Sequence, residues 1–346
     1  MTGYKLISKI KATVAVGALT LSGSAFAETV LHVGTWLPPT NPMNAVVWPT
    51  WSKWVEEATE GRVRVEIQDG LGHPKTLFQM VEDGIVDASF SYHGYVPGRF
   101  KLPQVVEQPG LGVTAEAGSV ALWRVYDQYF KDSDEFVGLE VIGMFTHGPG
   151  YIHSKQPITS WDQIKGQKIR IGGGVQTDLG ERMGITPVAA PAPKVYEMLQ
   201  QGVIDGVFLP MGEQKALRLH EVAPNVTVLP GGMYLGSFSI FMNPDFLDDL
   251  DPKDREAILS VSGEKLSQMA GKAWDAFDEE GLKVAQETGV NVINVKEGDP
   301  MAVEFNTLIE GMNDAWVKSV EDRGVDAQAA IDDLQSIAHT YASEQQ

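Results

Sequence analysis

Arg170 stands in the tetrapeptide Lys168-Ile169-Arg170-Ile171, which runs directly into Gly172-Gly173-Gly174. Strand alternation puts Lys168 and Arg170 on one face and Ile169 and Ile171 on the other. A guanidinium at the carboxyl end of a strand, beside the start of a helix, is well placed to hold a carboxylate through two parallel hydrogen bonds. The same residue type also serves in structural ion pairs, and the tetrapeptide alone leaves both roles open. The three glycines could cradle an anion on their N–H groups, but GxGxxG is not completed there, so the stretch reads as a flexible turn lining a cleft. Paired carboxylates could serve a hydrolase; most of them, including Glu56-Glu57, Asp248-Asp249, Asp278-Glu279-Glu280 and Asp332-Asp333, fall on expected helix faces or caps and read as solvated surface. The seven histidines show no HxxxH, HxH or HExxH spacing, and neither a GxSxG elbow nor a GxxxxGK[ST] loop occurs. Cysteine is absent, which removes thiol nucleophiles and Cys-type zinc sites. No catalytic set, metal or cofactor is expected.

The elements that carry these residues alternate. Thr29 to Thr35 reads as a buried strand ending in Trp36-Leu37-Pro38-Pro39. Val47, Trp51, Trp54, Val55 and Ala58 share one helical face, and Gly61 ends that helix. Val63 to Ile67 alternates as a strand, a second helix covers roughly Pro74 to Asp83, and Ile85 to Tyr92 is the next strand. This β-α-β-α-β order implies a parallel sheet flanked by helices. The grammar returns with strands at Leu139 to Phe145, Lys168 to Ile171 and Val203 to Leu209, and helices at Thr177 to Met183 and Lys194 to Gln201. Met80-Val81-Glu82-Asp83-Gly84-Ile85-Val86-Asp87-Ala88 and Met198-Leu199-Gln200-Gln201-Gly202-Val203-Ile204-Asp205-Gly206 repeat one pattern, a helix end, a glycine cap and an aspartate, which suggests two similar α/β lobes. Ser237 to Met242 looks like a strand returning to the first lobe. From Asp251-Pro252 a helical stretch reaches about Gly289, some 50 Å or more if unbroken, long enough to lie across both lobes, with Gly271 and Gly281 as candidate kinks. Met301 to Val320 and Ala327 to Ala342 read as two further helices.

The chain has 346 residues, 43% of them hydrophobic, enough for a large buried core and against disorder. With 27 basic and 46 acidic residues its formal net charge is −19, which argues against nucleic acid as a partner. Lys5, Lys9 and Lys11 precede an apolar run from Ala12 to Leu21, and Ala25-Phe26-Ala27 closes the segment. This reads as a signal peptide over residues 1–27, cleaved near Ala27, whose apolar run is about half the ~20 residues needed to span a bilayer. An exported product is expected, with no membrane insertion after cleavage.

Several segments together resemble the extracytoplasmic solute-binding subunits of TRAP transporters, the DctP-type family. They are Glu60-Gly61-Arg62-Val63-Arg64-Val65, the Gly84-Ile85-Val86-Asp87 strand entry, Lys155-Gln156-Pro157-Ile158-Thr159-Ser160, Lys165-Gly166-Gln167-Lys168-Ile169-Arg170, Gly184-Ile185-Thr186-Pro187-Val188, and Val195 to Gly206. They occur in the family's order, and the resemblance covers essentially the whole chain after residue 27. It implies an α/β, two-lobe periplasmic-binding-protein fold of type II-like form, with hinged lobes and a long helix spanning both. It also implies that Arg170 pairs with the ligand carboxylate. Three positions depart from the pattern: a second arginine would fall near Gly150 or Tyr151, an asparagine at Leu209, and an aromatic residue at Ala192 or Pro193. Each change removes a polar or aromatic handle, which speaks against a dicarboxylate or sialic-acid ligand.

Trp36, Tyr92, Tyr95, Tyr151 and Phe208 are expected on loops or strand ends facing the cleft, where open α/β sheets bind ligands. Aromatic walls with one arginine suit a monocarboxylate with an apolar or aromatic body. His93 and His153 are further candidate donors to a ligand oxygen. The expected ligand-binding set is therefore Arg170, Trp36, Tyr92, His93, Tyr151, Phe208 and Leu209. Lobe I is expected over 28–147 plus 237–275 and lobe II over 148–236 plus 276–346. The reading is a periplasmic, non-catalytic receptor that delivers a small organic acid to TRAP membrane permease subunits. The alternatives are a receptor for an ABC importer and a secreted lyase or hydrolase on the same fold.

Overall fold

The computed structural model describes Met1 and residues 28–345, so the segment read as a signal peptide lies, beyond Met1, outside the described residues. Among these the strands are β1 Thr29–Thr35, β2 Val63–Asp69, β3 Ala88–Tyr92, β4 Glu140–Thr146, β5 Gly150–Ser154, β6 Lys168–Ile171, β7 Thr186–Ala189, β8 Gly206–Pro210, β9 Asn225–Val228, β10 Ser237–Met242 and β11 Asn291–Asn294. They form two sheets, ordered β2-β1-β3-β10-β4 and β11-β9-β5-β8-β6-β7, one in each lobe. β1 pairs in parallel with β2 and β3, as the β-α-β-α-β order requires. The returning strand β10 joins the first sheet antiparallel to both β3 and β4. All six of its residues, Ser237 and Ser239 included, are buried. In the second sheet β6 is parallel to β7 and β8, whereas β5 runs antiparallel to β8 and β9. β5, β7, β9 and β11, of four or five residues each, are not expected from the sequence.

The two copies of the repeated pattern adopt the same geometry. The N–H of Ile85 bonds to Met80 O at 2.8 Å and that of Val203 to Met198 O at 2.9 Å, closing the helices with glycines at φ +65° and +74°. These caps hold the chain in turns, which delays the strands to Ala88 and Gly206. Each aspartate then ties its turn to the neighbouring strand: Asp87 Oδ2 accepts from His32 N at 2.7 Å, and Asp205 Oδ2 from Lys168 N at 2.9 Å.

The long helical stretch is broken, but not where its glycines suggested. It comprises Pro252–Ser260 and Glu264–Glu287, separated at Gly263, whose φ of +68° is left-handed. The second piece has 24 residues, about 36 Å at 1.5 Å per residue, and packs against both lobes. Gly271 and Gly281 are places of close approach rather than kinks. A Cβ at Gly271 would lie 2.6 Å from Ala115 O, and one at Gly281 would collide with Met211 O in the other lobe.

The C-terminal part departs from the expected layout. Met301 to Val320 forms two helices, Pro300–Ile309 and Met312–Ser319, divided at Gly311 with φ +72°. Met301, Phe305 and Met312 pack into the second lobe's core. Trp316 and Val320, and then Ala330, Ile331, Leu334 and Ala338 of the last helix, enter the first lobe's core. The expectation that all of 276–346 belongs with lobe II is corrected by this packing: the apolar face of Ala327–Glu344 is buried against the helix Ala115–Val125.

Candidate functional site

The carboxyl ends of β1, β3, β4, β6 and β8 converge on a narrow cavity between the lobes, with about 30 Å³ of open space. Trp36 follows β1, Tyr92 ends β3, His147 follows β4, and Phe238 belongs to β10; these line the cavity from the first lobe. Arg170 on β6, Gly172, Gln176, Leu209 and Pro210 of β8, Glu213 and Tyr234 line it from the second, and Trp274 reaches it from the long helix.

Arg170 is only 2% exposed. Its Nε donates to Ala190 O at 2.7 Å, Nη1 to Phe208 O at 3.4 Å and Nη2 to the Tyr95 hydroxyl at 3.3 Å. Of the guanidinium's donors, these contacts leave one N–H on each terminal nitrogen, the pair a carboxylate would take. No carboxylate among the described residues forms an ion pair with it; the alternative structural ion pair is thus absent there. A guanidinium removed from water with no carboxylate in direct contact is costly, so an arriving anion is favoured.

Other polar atoms in the cavity wall lack partners. Tyr234 Oη and Trp274 Nε1 are buried and make no hydrogen bond with the described residues. The Tyr95 hydroxyl accepts from Arg170 and from Ala192 N at 3.0 Å, so its own hydrogen remains available. His147 Nδ1 lies 2.6 Å from Gly148 O and must donate to it, leaving Nε2 as an acceptor. Burial holds His147 at a pKa of about 4, hence neutral. Burial pushes Glu213 up to about 7, with the Arg170 charge opposing the rise.

The walls are aromatic. Trp36 meets Tyr95 edge-on at 5.7 Å, Tyr92 meets Tyr95 at 5.0 Å, and Phe238 stacks on Trp274 at 6.1 Å between ring centroids. Glycines admit these rings to the backbone. A side chain at Gly150 would collide with the Tyr234 ring, and one at Gly236 with His147. The position where the family pattern places a second arginine is thus occupied in space by Tyr234.

Contacts across the cleft keep the lobes together. Glu107 of the first lobe accepts from Ser237 N at 3.1 Å and Ser237 Oγ at 2.7 Å, and from Val175 N at 3.1 Å, the first residue of a second-lobe helix. Tyr92 Oη donates to Gly173 O at 3.2 Å and accepts from Gln176 Nε2 at 3.1 Å.

Of the residues expected from sequence, Trp36, Tyr92, Leu209 and Arg170 line this cavity. Three do not. His93 is 1% exposed, bonded to Ser237 and Ser239 hydroxyls at 2.9 and 3.1 Å and stacked on Phe78. It is a core histidine of the first lobe, held by burial at a pKa of about 3. Phe208 is fully buried because alternation along β8 turns it into the second lobe's core; only its carbonyl reaches Arg170. Tyr151 lies on β5 rather than a loop and lines a separate cavity with Asp275 and Asp278. His153, weighed as a donor, is fully buried between Leu209 O and Gln214. Glu213, Tyr234, Trp274 and His147 were not anticipated. Trp274 is hidden among the apolar positions of its helix, and Glu213 opens a four-residue helix with no pattern to mark it. Among the described residues no group of three or more His, Asp or Glu is arranged to hold a metal, and no helix is long and apolar enough to cross a membrane.

Comparison with known proteins agrees with this geometry. Residues 33–316 match the family described as bacterial extracellular solute-binding protein, family 7. The outer membrane transporter protein TsaT of Comamonas testosteroni is 32% identical over 321 residues, covering 92% of this chain and 94% of TsaT. A TRAP periplasmic solute-binding protein from Bordetella bronchiseptica, solved with bound (R)- and (S)-mandelate, superposes with a TM-score of 0.87 at 31% identity, covering 90% of this chain and 99% of that one. A TRAP solute-binding protein from Rhodoferax ferrireducens T118, solved with copurified benzoate, gives a TM-score of 0.86 at 26% identity, covering 92% and 100%. Two sheets joined by one spanning helix, and a buried arginine at the cleft between them, accord with these likenesses: the chain belongs to family 7 of the bacterial extracellular solute-binding proteins, the DctP-type receptors of TRAP transporters.

Proposed function

We propose that this chain is an exported, non-catalytic receptor that binds an aromatic monocarboxylate between its lobes in the periplasm and hands it to a TRAP-type permease. The observation that carries the reading is Arg170, buried in an aromatic-walled cavity without an acid partner among the described residues. The cavity's flat aromatic walls suit a ring, and with only about 30 Å³ of open space it admits one when the lobes part. The mandelate and benzoate held by the two structural relatives support the class, and their description as TRAP receptors favours that permease over an ABC importer.

Ligand entry requires the lobes to part. The chain crosses between sheets at residues 147–149 and 229–236 and along the long helix, and we assign the hinge to these segments. Closure seats the ring between Trp36, Tyr92 and Phe238 while the carboxylate meets Arg170, and the bound anion stabilises the closed form by its differential affinity.

A thermal-shift and calorimetric screen of benzoate, mandelate and phenylacetate against acetate and succinate tests the class. The aromatic acids should raise the melting temperature, and Arg170→Ala should weaken their binding by on the order of 2–5 kcal/mol. Binding confined to aliphatic acids, or unchanged in Arg170→Ala, would reject the reading.

A further inference from the structure

The cavity holds more than the groups an aromatic carboxylate can use. Benzoate presents acceptors and an apolar ring; its oxygens can satisfy Arg170 and the unpartnered Tyr234 Oη and Trp274 Nε1. Nothing in such a ligand donates a hydrogen bond. Yet two acceptors line the same cavity, Glu213 from the second lobe and His147 from the first. Glu213 is 5% exposed, and its carboxyl group makes neither a hydrogen bond nor an ion pair with any described residue. His147 is also 5% exposed, and its Nε2 is an acceptor because Nδ1 is committed to Gly148 O. A buried acceptor left without a donor costs free energy that a suitable ligand would recover.

Resting on the aromatic-acid reading, we infer that the preferred ligand carries a hydroxyl group on its ring or side chain, and that Glu213, which lines the cavity from the second lobe, accepts the hydrogen bond from that hydroxyl. The four groups divide the work. Arg170 fixes the carboxylate, Tyr234 and Trp274 donate to ligand oxygens, and Glu213 separates hydroxylated acids from their bare parents. A site that hydrogen-bonds a substrate hydroxyl rejects the analogue lacking it far better than an apolar pocket rejects an added group. Burial raises the Glu213 pKa to about 7 against the opposing charge of Arg170, which agrees with a carboxyl group that has no hydrogen-bond donor until ligand arrives.

Calorimetry on the intact chain tests this in two arms. In the first, wild-type protein is titrated with benzoate, the three hydroxybenzoates, their methoxy counterparts, phenylacetate and mandelate. At least one hydroxy acid should bind more tightly than both its parent and its methyl ether by on the order of 10- to 100-fold, the worth of a hydrogen bond to a charged group. The ether keeps the oxygen and exchanges the donor hydrogen for a methyl group, the bare parent controls for bulk, and this arm needs no variant. In the second, Glu213→Met should erase that preference, so that a hydroxy acid and its bare parent bind the variant equally, and Glu213→Gln, which keeps one acceptor oxygen, should retain part of it. Parents and ethers binding as well as hydroxy acids, or a preference that survives Glu213→Met, would overturn the inference while leaving the aromatic-acid reading intact. Failure of every aromatic acid to bind wild type would overturn both.

Discussion

Asp275 and Asp278, one turn apart on the long helix, each hold the backbone of a different lobe. Asp275 accepts from Ala115 N at 2.7 Å and Glu116 N at 2.9 Å, at the start of a first-lobe helix. Asp278 accepts from Gly212 N at 2.7 Å, in the second-lobe turn that leads into Glu213. A single helical turn therefore sets how the two halves of the cleft sit on their common strut.

Removing either carboxylate leaves backbone N–H groups without their acceptor. Asp275→Ala should lower unfolding stability by about 1–2 kcal/mol, the worth of a capping interaction, with little change in ligand affinity. Asp278→Ala should weaken ligand binding as well, since it frees the turn carrying Glu213. Urea denaturation and calorimetry on both variants check this; equal effects on affinity would argue against separate roles.

The glycines of the same helix give a prediction whose sign opposes helix propensity. In an exposed helix, Gly to Ala stabilises by about 1 kcal/mol. At Gly271 and Gly281 the new methyl would meet the backbone of Ala115 and of Met211, so each substitution should destabilise, by about 1–3 kcal/mol as overpacking does. Stabilisation in denaturant titrations would show that these approaches are looser than described.

Glu107 links closure to pH. Burial pushes its pKa up to about 7, with the hydrogen bonds from Ser237 and Val175 opposing the rise. Its closed-state pKa lies above the ordinary carboxylate value, so the closed form binds more protons than a state in which the group meets water. That stabilisation is complete below a pH of about 4.5 and is lost as pH rises through about 7. Ligand affinity should therefore decline from about pH 6 to about pH 8, and Glu107→Gln should flatten the decline. The same slope in the variant would assign the dependence to another group.

How much of this was legible in the sequence depends on where each residue's signal resides. β1 was read to the residue because its β-branched run ends at a proline pair. The position of Arg170 at the cavity is legible because alternation and the following glycines are both local features. The repeated glycine–aspartate turns were found, and their shared hydrogen bonds explain why the pattern recurs. His93 was misplaced because its partners, Ser237 and Ser239, are far away in the chain and reach it only through β10. Gly263 was passed over in favour of Gly271 and Gly281 because a glycine's backbone angle and its neighbours are set by tertiary packing. Glu213 and Tyr234 escaped notice for the same reason: their lack of partners is a property of the assembled cavity.

The most direct test of the central claim is a crystal structure of the chain grown with an aromatic monocarboxylate. The account predicts the carboxylate within hydrogen-bonding distance of Arg170 Nη1 and Nη2, and the ring between Trp36, Tyr92 and Phe238. It is contradicted if the acid sits in the cavity beside Tyr151 and Asp278, or if Arg170 is found paired with Glu213 while the ligand binds elsewhere.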